Sequence, residues 1–258
     1  RFTETGNLLP FNMAEHGYNP AEALMLQLPQ QREVVFGKTY WQGDRFELRG
    51  QIHLANSLLK RRQRPVTFFW GDFGGPVGIT LEGNPFLSPA AIQVLGSNPV
   101  VRNFGLDFNG NGIPNIANVF LGRTLKELGP TKWDQDYSLQ QFEFGMTYEL
   151  SDMWSLDAFA NFGEIELDWL ADPVLDAARV RQSLIVNTFD RSGQTCFNPA
   201  NGCVPLNVYG TDNLAPEAIE FIRTQLDSQN SSKILTLNAV ITGNTSEFFE
   251  MPGGAGPL

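Results

Sequence analysis

From Gln141 to Leu150 the chain alternates without a break. Phe142, Phe144, Met146, Tyr148 and Leu150 fall on one side of an extended backbone, and Gln141, Glu143, Gly145, Thr147 and Glu149 on the other. Successive side chains of a strand point to opposite faces, so the pattern predicts a half-apolar β-strand. A tight turn is expected at Ser151-Asp152. Beyond it Trp154, Leu156, Ala158, Ala160 and Phe162 build a second apolar face, opposed by Ser155, Asp157, Asn161 and Gly163, with Phe159 the exception. The apolar series stops where Glu164, Glu166 and Asp168 take over its positions.

A second hairpin is predicted around Gln42-Gly43-Asp44. After the turn Phe46, Leu48, Gly50, Ile52 and Leu54 share one face, and Arg45, Glu47, Arg49, Gln51 and His53 the other. The arm before it, Glu33 to Trp41, is strand-like with mixed faces. Two more strands are expected at Arg181–Asp190 and Lys233–Thr242; in the latter Leu235, Leu237, Ala239 and Ile241 align. The connections 62–140 and 191–232 are long, and each carries a helix start. Ser88 stands as an N-cap before Pro89 at the first helical position. Pro216 takes the same role ahead of an apolar stripe of Ala218, Ile219, Ile222 and Leu226. Both are read as short loop helices packing on the loops or a barrel rim.

The apolar faces need a cover. Strands of a soluble sandwich are short and its turns evenly spaced. Here the best alternations run nine to ten residues, two turns are tight, and the other connections are long. A membrane-spanning strand needs about 9–11 tilted residues, apolar outward and polar inward, with short turns at one end and long loops at the other. Tyr148 and Trp154 flank one tight turn, as an interfacial aromatic girdle would. The pattern favours an all-β fold: part of a large antiparallel transmembrane β-barrel, with short helices in long extracellular loops. A solvated sheet face is the competing reading.

Composition narrows the partners. The net charge is −10 and the pI about 4.7, which argues against nucleic acid, whose binders carry a basic face. Charged residues make up 18%, below the roughly 25% of an average soluble domain. No run of about 18 apolar residues occurs, so no transmembrane helix is predicted. The chain opens at Arg1 without a signal peptide, as a mature or truncated product would. Its two cysteines, Cys196 and Cys203, lie in one turn-rich stretch. Two thiols make a poor zinc site, and neither His16 nor His53 is near in sequence. A local disulfide is expected, which implies an oxidising compartment; two unrelated buried thiols are the alternative.

The stretch GCVPLNVYGTDNLAPEAIEFI resembles the loop-and-helix signature of TonB-dependent outer-membrane receptors. LPQQREVVFGKTYW, GNPFLSPAAIQVL and ITGNTSEFFEMPGGAGPL resemble the same barrels, in the expected order over about residues 30 to 258. The closing G-x-E-Y-R of that family is missing. The resemblance implies a bacterial outer-membrane importer, non-catalytic, in which a plug domain closes the barrel. A scarce nutrient of siderophore, cobalamin or oligosaccharide type crosses with energy supplied through TonB. Plugged barrels have about 22 strands, and about six are clear here. Residues 1–258 therefore read as a partial barrel whose plug and closing strands lie elsewhere, because unpaired strand edges are not viable in lipid. Lumen-facing candidates for ligand contact are Arg49, His53, Glu143, Asp157 and Asn161. A passive porin-like barrel and a secreted, glycan-binding β-sandwich are the alternatives.

Asp107, Asn109 and Asn111, followed by Gly112, resemble positions 1, 3, 5 and 6 of a calcium loop. Two expected aspartates are asparagines, and Asn118 stands where a glutamate belongs, so any Ca²⁺ affinity is expected to be weak. An Asn/Gly turn is the plainer reading. No cofactor is expected otherwise. No G-x-S-x-G or P-loop is present. Glu164 and Glu166 suggest a glycosidase pair, but their place just past an apolar face marks a solvated strand end.

Overall fold

The structure is a computed structural model and describes residues 1–69, 71, 74–189 and 195–244. In chain order its elements are α1 (Met13–His16), β1 (Gln30–Gln42), β2 (Phe46–Pro65), β3 (Thr67–Phe69), β4 (Val77–Thr80), α2 (Pro89–Ser97), α3 (Pro99–Asn103), β5 (Ile116–Val119), β6 (Gly122–Thr124), β7 (Pro130–Ser151), β8 (Trp154–Leu175), α4 (Ala177–Leu184), α5 (Pro216–Ile222) and β9 (Arg223–Gly243). β1, β2, β7, β8 and β9 form one antiparallel sheet in that order, which is not closed. Two compact units divide the chain: a sheet unit of Leu28–Lys60, Asp134–Leu170 and Asp227–Leu258, and a loop unit of Arg1–Gln27, Arg61–Trp133 and Ala171–Leu226.

In the sheet unit the β1–β2 register sorts the mixed arm. Val35↔Leu54, Gly37↔Ile52, Thr39↔Gly50 and Trp41↔Leu48 lie opposite one another, as do Phe36↔His53, Lys38↔Gln51, Tyr40↔Arg49 and Gln42↔Glu47. Residues directly opposite share a face. The first set continues the apolar face, and Phe36 and Tyr40 are aromatic members of the polar one. The predicted alternation at 46–54, 141–150, 154–162 and 233–242 falls on strands throughout.

The loop unit owns the hydrophobic core. Among the described residues every buried apolar side chain except Ala55 belongs to it. Phe68, Ile79, Leu81, Leu125, Leu206, Tyr209 and Ile222 lie at its centre, contributed by both long connections. β3 pairs with β6 and β4 with β5. The Ser88 hydroxyl caps α2 by accepting the Ala91 N–H at 3.1 Å, with Pro89 in the first turn. Asn98 then ends α2 and caps α3, because Pro99 behind it disfavours a helical backbone.

Four expectations change. The strand predicted at Arg181–Asp190 is not formed. Residues 181–184 end α4, whose N-terminus is set by the Asp176 carboxylate accepting the Ala178 and Arg179 N–H groups. Val186 makes only an isolated bridge to Cys196, and Asp190 lies outside the described residues. α5 stops at Ile222, so Leu226 is an exposed strand residue and α5 buries Ala218, Phe221 and Ile222 instead. The connections run 66–129 and 176–222, since β2, β7 and β9 extend beyond their alternating segments. Finally, these connections pack a core of their own, beyond the short loop helices expected in them.

Candidate functional site

The polar face of the sheet unit brings two predicted residues together. The Arg49 guanidinium donates to both Asp157 carboxylate oxygens, at 3.0 and 3.1 Å, and to the Thr147 hydroxyl at 3.2 Å. Thr147 Oγ1 donates in turn to Asp157 Oδ2 at 2.9 Å. The cluster ties β2, β7 and β8 and is partly solvated. Gly145 lies beneath it, where a β-carbon would collide with the Arg49 side chain. Arg49 and Asp157 thus meet each other before any ligand. Asn161 accepts from Gln141 Nε2 at 3.3 Å, and His53 meets Phe36 edge-on with centroids 6.2 Å apart. Glu143 occupies the same face, without a side-chain hydrogen bond or ion pair among the described residues. The five predicted residues share one face and do not converge on a single pocket.

The opposite face is apolar and bare. Leu237 is 70% exposed, Leu235 65%, Trp41 60% and Ile241 60%. Between Gly37, Gly50 and Ala160 it dips into a hollow of about 610 Å³ walled by Ile52, Phe142, Phe144, Phe162 and Leu235. Aromatic side chains crowd its tight-turn end. Trp41 packs edge-on to Phe46 at 4.9 Å, and the Trp154 ring covers Gly243. At the other end the apolar series closes on an ion pair, Lys233 Nζ to Glu164 Oε1 at 2.7 Å. Glu33, Asp136, Glu166 and Asp168 line a polar hollow of about 380 Å³.

In the loop unit the Asp107 turn closes on itself. Asp107 accepts the Gly110 and Gly112 N–H groups, each at 2.8 Å, and Gly110 and Gly112 take φ of 73° and 83°. The Gly112 N–H above all holds the Asp107 carboxyl below the usual carboxylate range. Asn109 and Asn111 turn their carbonyl oxygens to backbone N–H groups. Their amide nitrogens, with that of Asn115, donate to the Glu82 carboxylate at 2.8, 2.6 and 2.6 Å. Glu82 stands among the predicted calcium positions as a second carboxylate, met by amide donors. No group of three or more His, Cys, Asp or Glu able to hold a metal occurs among the described residues.

Cys196 and Cys203 form a disulfide. The ring is fixed to α4 by Gln182 Nε2, which donates to the Asn198 and Ala200 carbonyls at 2.9 and 2.8 Å. Arg123, which the sequence did not single out, is partly buried with Glu127 and donates to the Asn207 carbonyl and Asn213 Oδ1. Burial lowers its pKa, partly offset by Glu127 and Asp212. Glu82 carries no local signal, because its partners follow it by 27 to 33 residues; Arg123 has Glu127 four residues on, but its other partners, Asn207 and Asn213, lie in a distant segment. Thr147 was legible only as a polar-face residue. Comparison with protein-family models, with curated proteins and with solved structures gives no match.

Proposed function

We propose that this chain is part of an outer-membrane β-barrel that imports a scarce small-molecule nutrient, with the apolar face of its sheet in lipid. The observation that carries the membrane reading is a five-stranded sheet whose apolar face is exposed and whose unit has almost no core. Monomeric soluble proteins rarely expose so continuous an apolar surface. Lipid supplies the missing cover, and the polar Arg49–Asp157 face then turns to a wet lumen. The aromatic side chains at the tight-turn end and the Glu164–Lys233 pair at the other suit the two interfaces. Plug-closed, TonB-coupled import rests on the ordered sequence resemblance alone.

Spin labels at successive positions 235–241 test the membrane reading. Labels at 235, 237, 239 and 241 should be reached by oxygen dissolved in the bilayer, and those at 236, 238 and 240 by a water-soluble relaxation agent. Uniform access by the water-soluble agent, in a chain that needs no detergent, would replace it with the secreted sandwich. Import is tested separately, as nutrient uptake by the whole protein that stops when the proton gradient is collapsed. Uptake that continues would favour the passive porin.

A further inference from the structure

We propose that Arg62, Arg64 and Lys132 form a recognition patch for the phosphates of an anionic lipid headgroup, an inference that rests on the membrane reading. β2 ends in the run LKRRQRP. Exposure alternates along it: Arg62 and Arg64 are exposed, Arg61 and Gln63 partly covered. Arg61 turns onto the adjacent strand β7, its guanidinium 5.4 Å from the centre of the Trp133 ring. One step along each strand from that contact, side chains point to the other face. Arg62 and Lys132 therefore lie on the same face of neighbouring strands, and Lys132 is exposed as well.

Like charges facing each other across a sheet are destabilising. None of the three cations has an ion pair or a side-chain hydrogen bond among the described residues. They form an unneutralised basic patch in a chain of net charge −10. A phosphate relieves the repulsion and matches the arginine fork with paired N–H donors. The acidic balance of the whole chain disfavours a long polyanion such as nucleic acid, whose binding grows with the number of phosphates neutralised. A headgroup with one or two phosphates needs only the local patch. On β2 itself the patch continues the even-numbered series that includes Ile52, Leu54 and Leu58, as expected where an apolar surface gives way to headgroups.

The test uses the full chain in neutral detergent micelles. Binding of a headgroup-labelled, bis-phosphorylated lipid is followed by fluorescence anisotropy. The competitors are the unlabelled lipid, the same lipid with its phosphates removed, inorganic phosphate and a single-stranded oligonucleotide. The unlabelled phosphorylated lipid should compete and the phosphate-free lipid should not. Inorganic phosphate should act only in large excess. Joint Arg62→Gln, Arg64→Gln and Lys132→Gln replacement should weaken binding on the order of 100-fold. Arg62→Gln and Lys132→Gln singly, both at exposed positions, should each cost about 5-fold, while Arg32→Gln on β1 changes nothing. Wild-type affinity in the folded triple or single variants would overturn the proposal, as would equal competition by the phosphate-free lipid, inorganic phosphate or the oligonucleotide. If the chain still requires detergent in that case, the membrane reading stands. A chain soluble without detergent would remove both.

Discussion

Replacing Leu237 with arginine separates lipid from water on the bare face of β9. Leu237 is 70% exposed, so no packed neighbour is lost in the sheet unit. The apolar series on this strand is bounded by Lys233, paired with Glu164, and by Gly243 under Trp154. From 233 to 243 is ten residue steps, about 34 Å along a strand. At a tilt of about 40° that spans roughly 26 Å of membrane, close to the ~25 Å apolar band of an outer-membrane barrel. Leu237 lies four steps from Lys233, about 10 Å below the upper boundary by the same conversion and near the middle of the band. Arginine on the lipid face costs about 2–4 kcal/mol at mid-depth and about 0–1 near an interface. On a solvated sheet the same substitution stays within about 0.5 kcal/mol. The expected order is therefore Leu237→Arg well above Leu235→Arg, with Asn238→Arg on the polar face near zero. The assay is reversible denaturant unfolding of the whole protein in lipid vesicles, followed by tryptophan fluorescence. A Leu237→Arg cost below about 0.5 kcal/mol, or equal costs at 237 and 238, would refute the lipid assignment.

Three further outcomes follow from the geometry. A double-mutant cycle of Arg49→Gln and Asp157→Asn should give a small favourable coupling, modest because both side chains are partly solvated; Gly145→Ala should erase most of it by displacing the Arg49 side chain, and no measurable coupling in the wild-type background would show the pair is not held. Joint Cys196→Ala and Cys203→Ala replacement, opening a ring of sequence separation 7, should lower the stability of the loop unit by about 2 kcal/mol, measured as a lower denaturant midpoint, and an unchanged midpoint would count against a structural ring. Asp107 has a depressed folded pKa, so its bonds to Gly112 and Gly110 contribute fully above the unfolded value of about 3.9 and are lost as pH falls through the lower folded value. The amide proton resonances of Gly110 and Gly112 should hold steady down to about pH 4 and titrate only below it; a midpoint above the unfolded value would contradict the assigned bonds.

The sheet was readable and the core was not, and one physical difference accounts for both. Phe142, Phe144 and Met146, or Leu235, Leu237 and Ala239, all meet the same surroundings, so every second position obeys one rule and period two stands out. From Asp227 to Ser232, before Lys233, both faces of β9 are polar and the alternation fades, whereas past Glu164 it inverts on β8, with Ile165, Leu167 and Trp169 opposite Glu164, Glu166 and Asp168, and no single apolar side carries on although the backbone continues as strand to Leu175. The core of the loop unit works the other way. Phe68, Leu125, Leu206 and Tyr209 belong to one core cluster drawn from distant segments; Phe68 sits in a three-residue strand and the other three in irregular backbone, where no period can register. That is why the sequence of Arg181–Asp190 reads as a strand. The signals for α4 are the Asp176 cap and the Val180, Ser183 and Leu184 spacing, and all but two of those positions precede the window of alternation. Contacts failed for the same reason. The faces of Arg49, Thr147 and Asp157 follow from parity, but their meeting depends on the stagger of three strands, which parity does not encode. Glu82 joins three asparagines that follow it by 27 to 33 residues. Periodicity records a side chain's relation to a uniform medium, so its strength in the sheet is itself an argument that this surface faces one medium over its whole height.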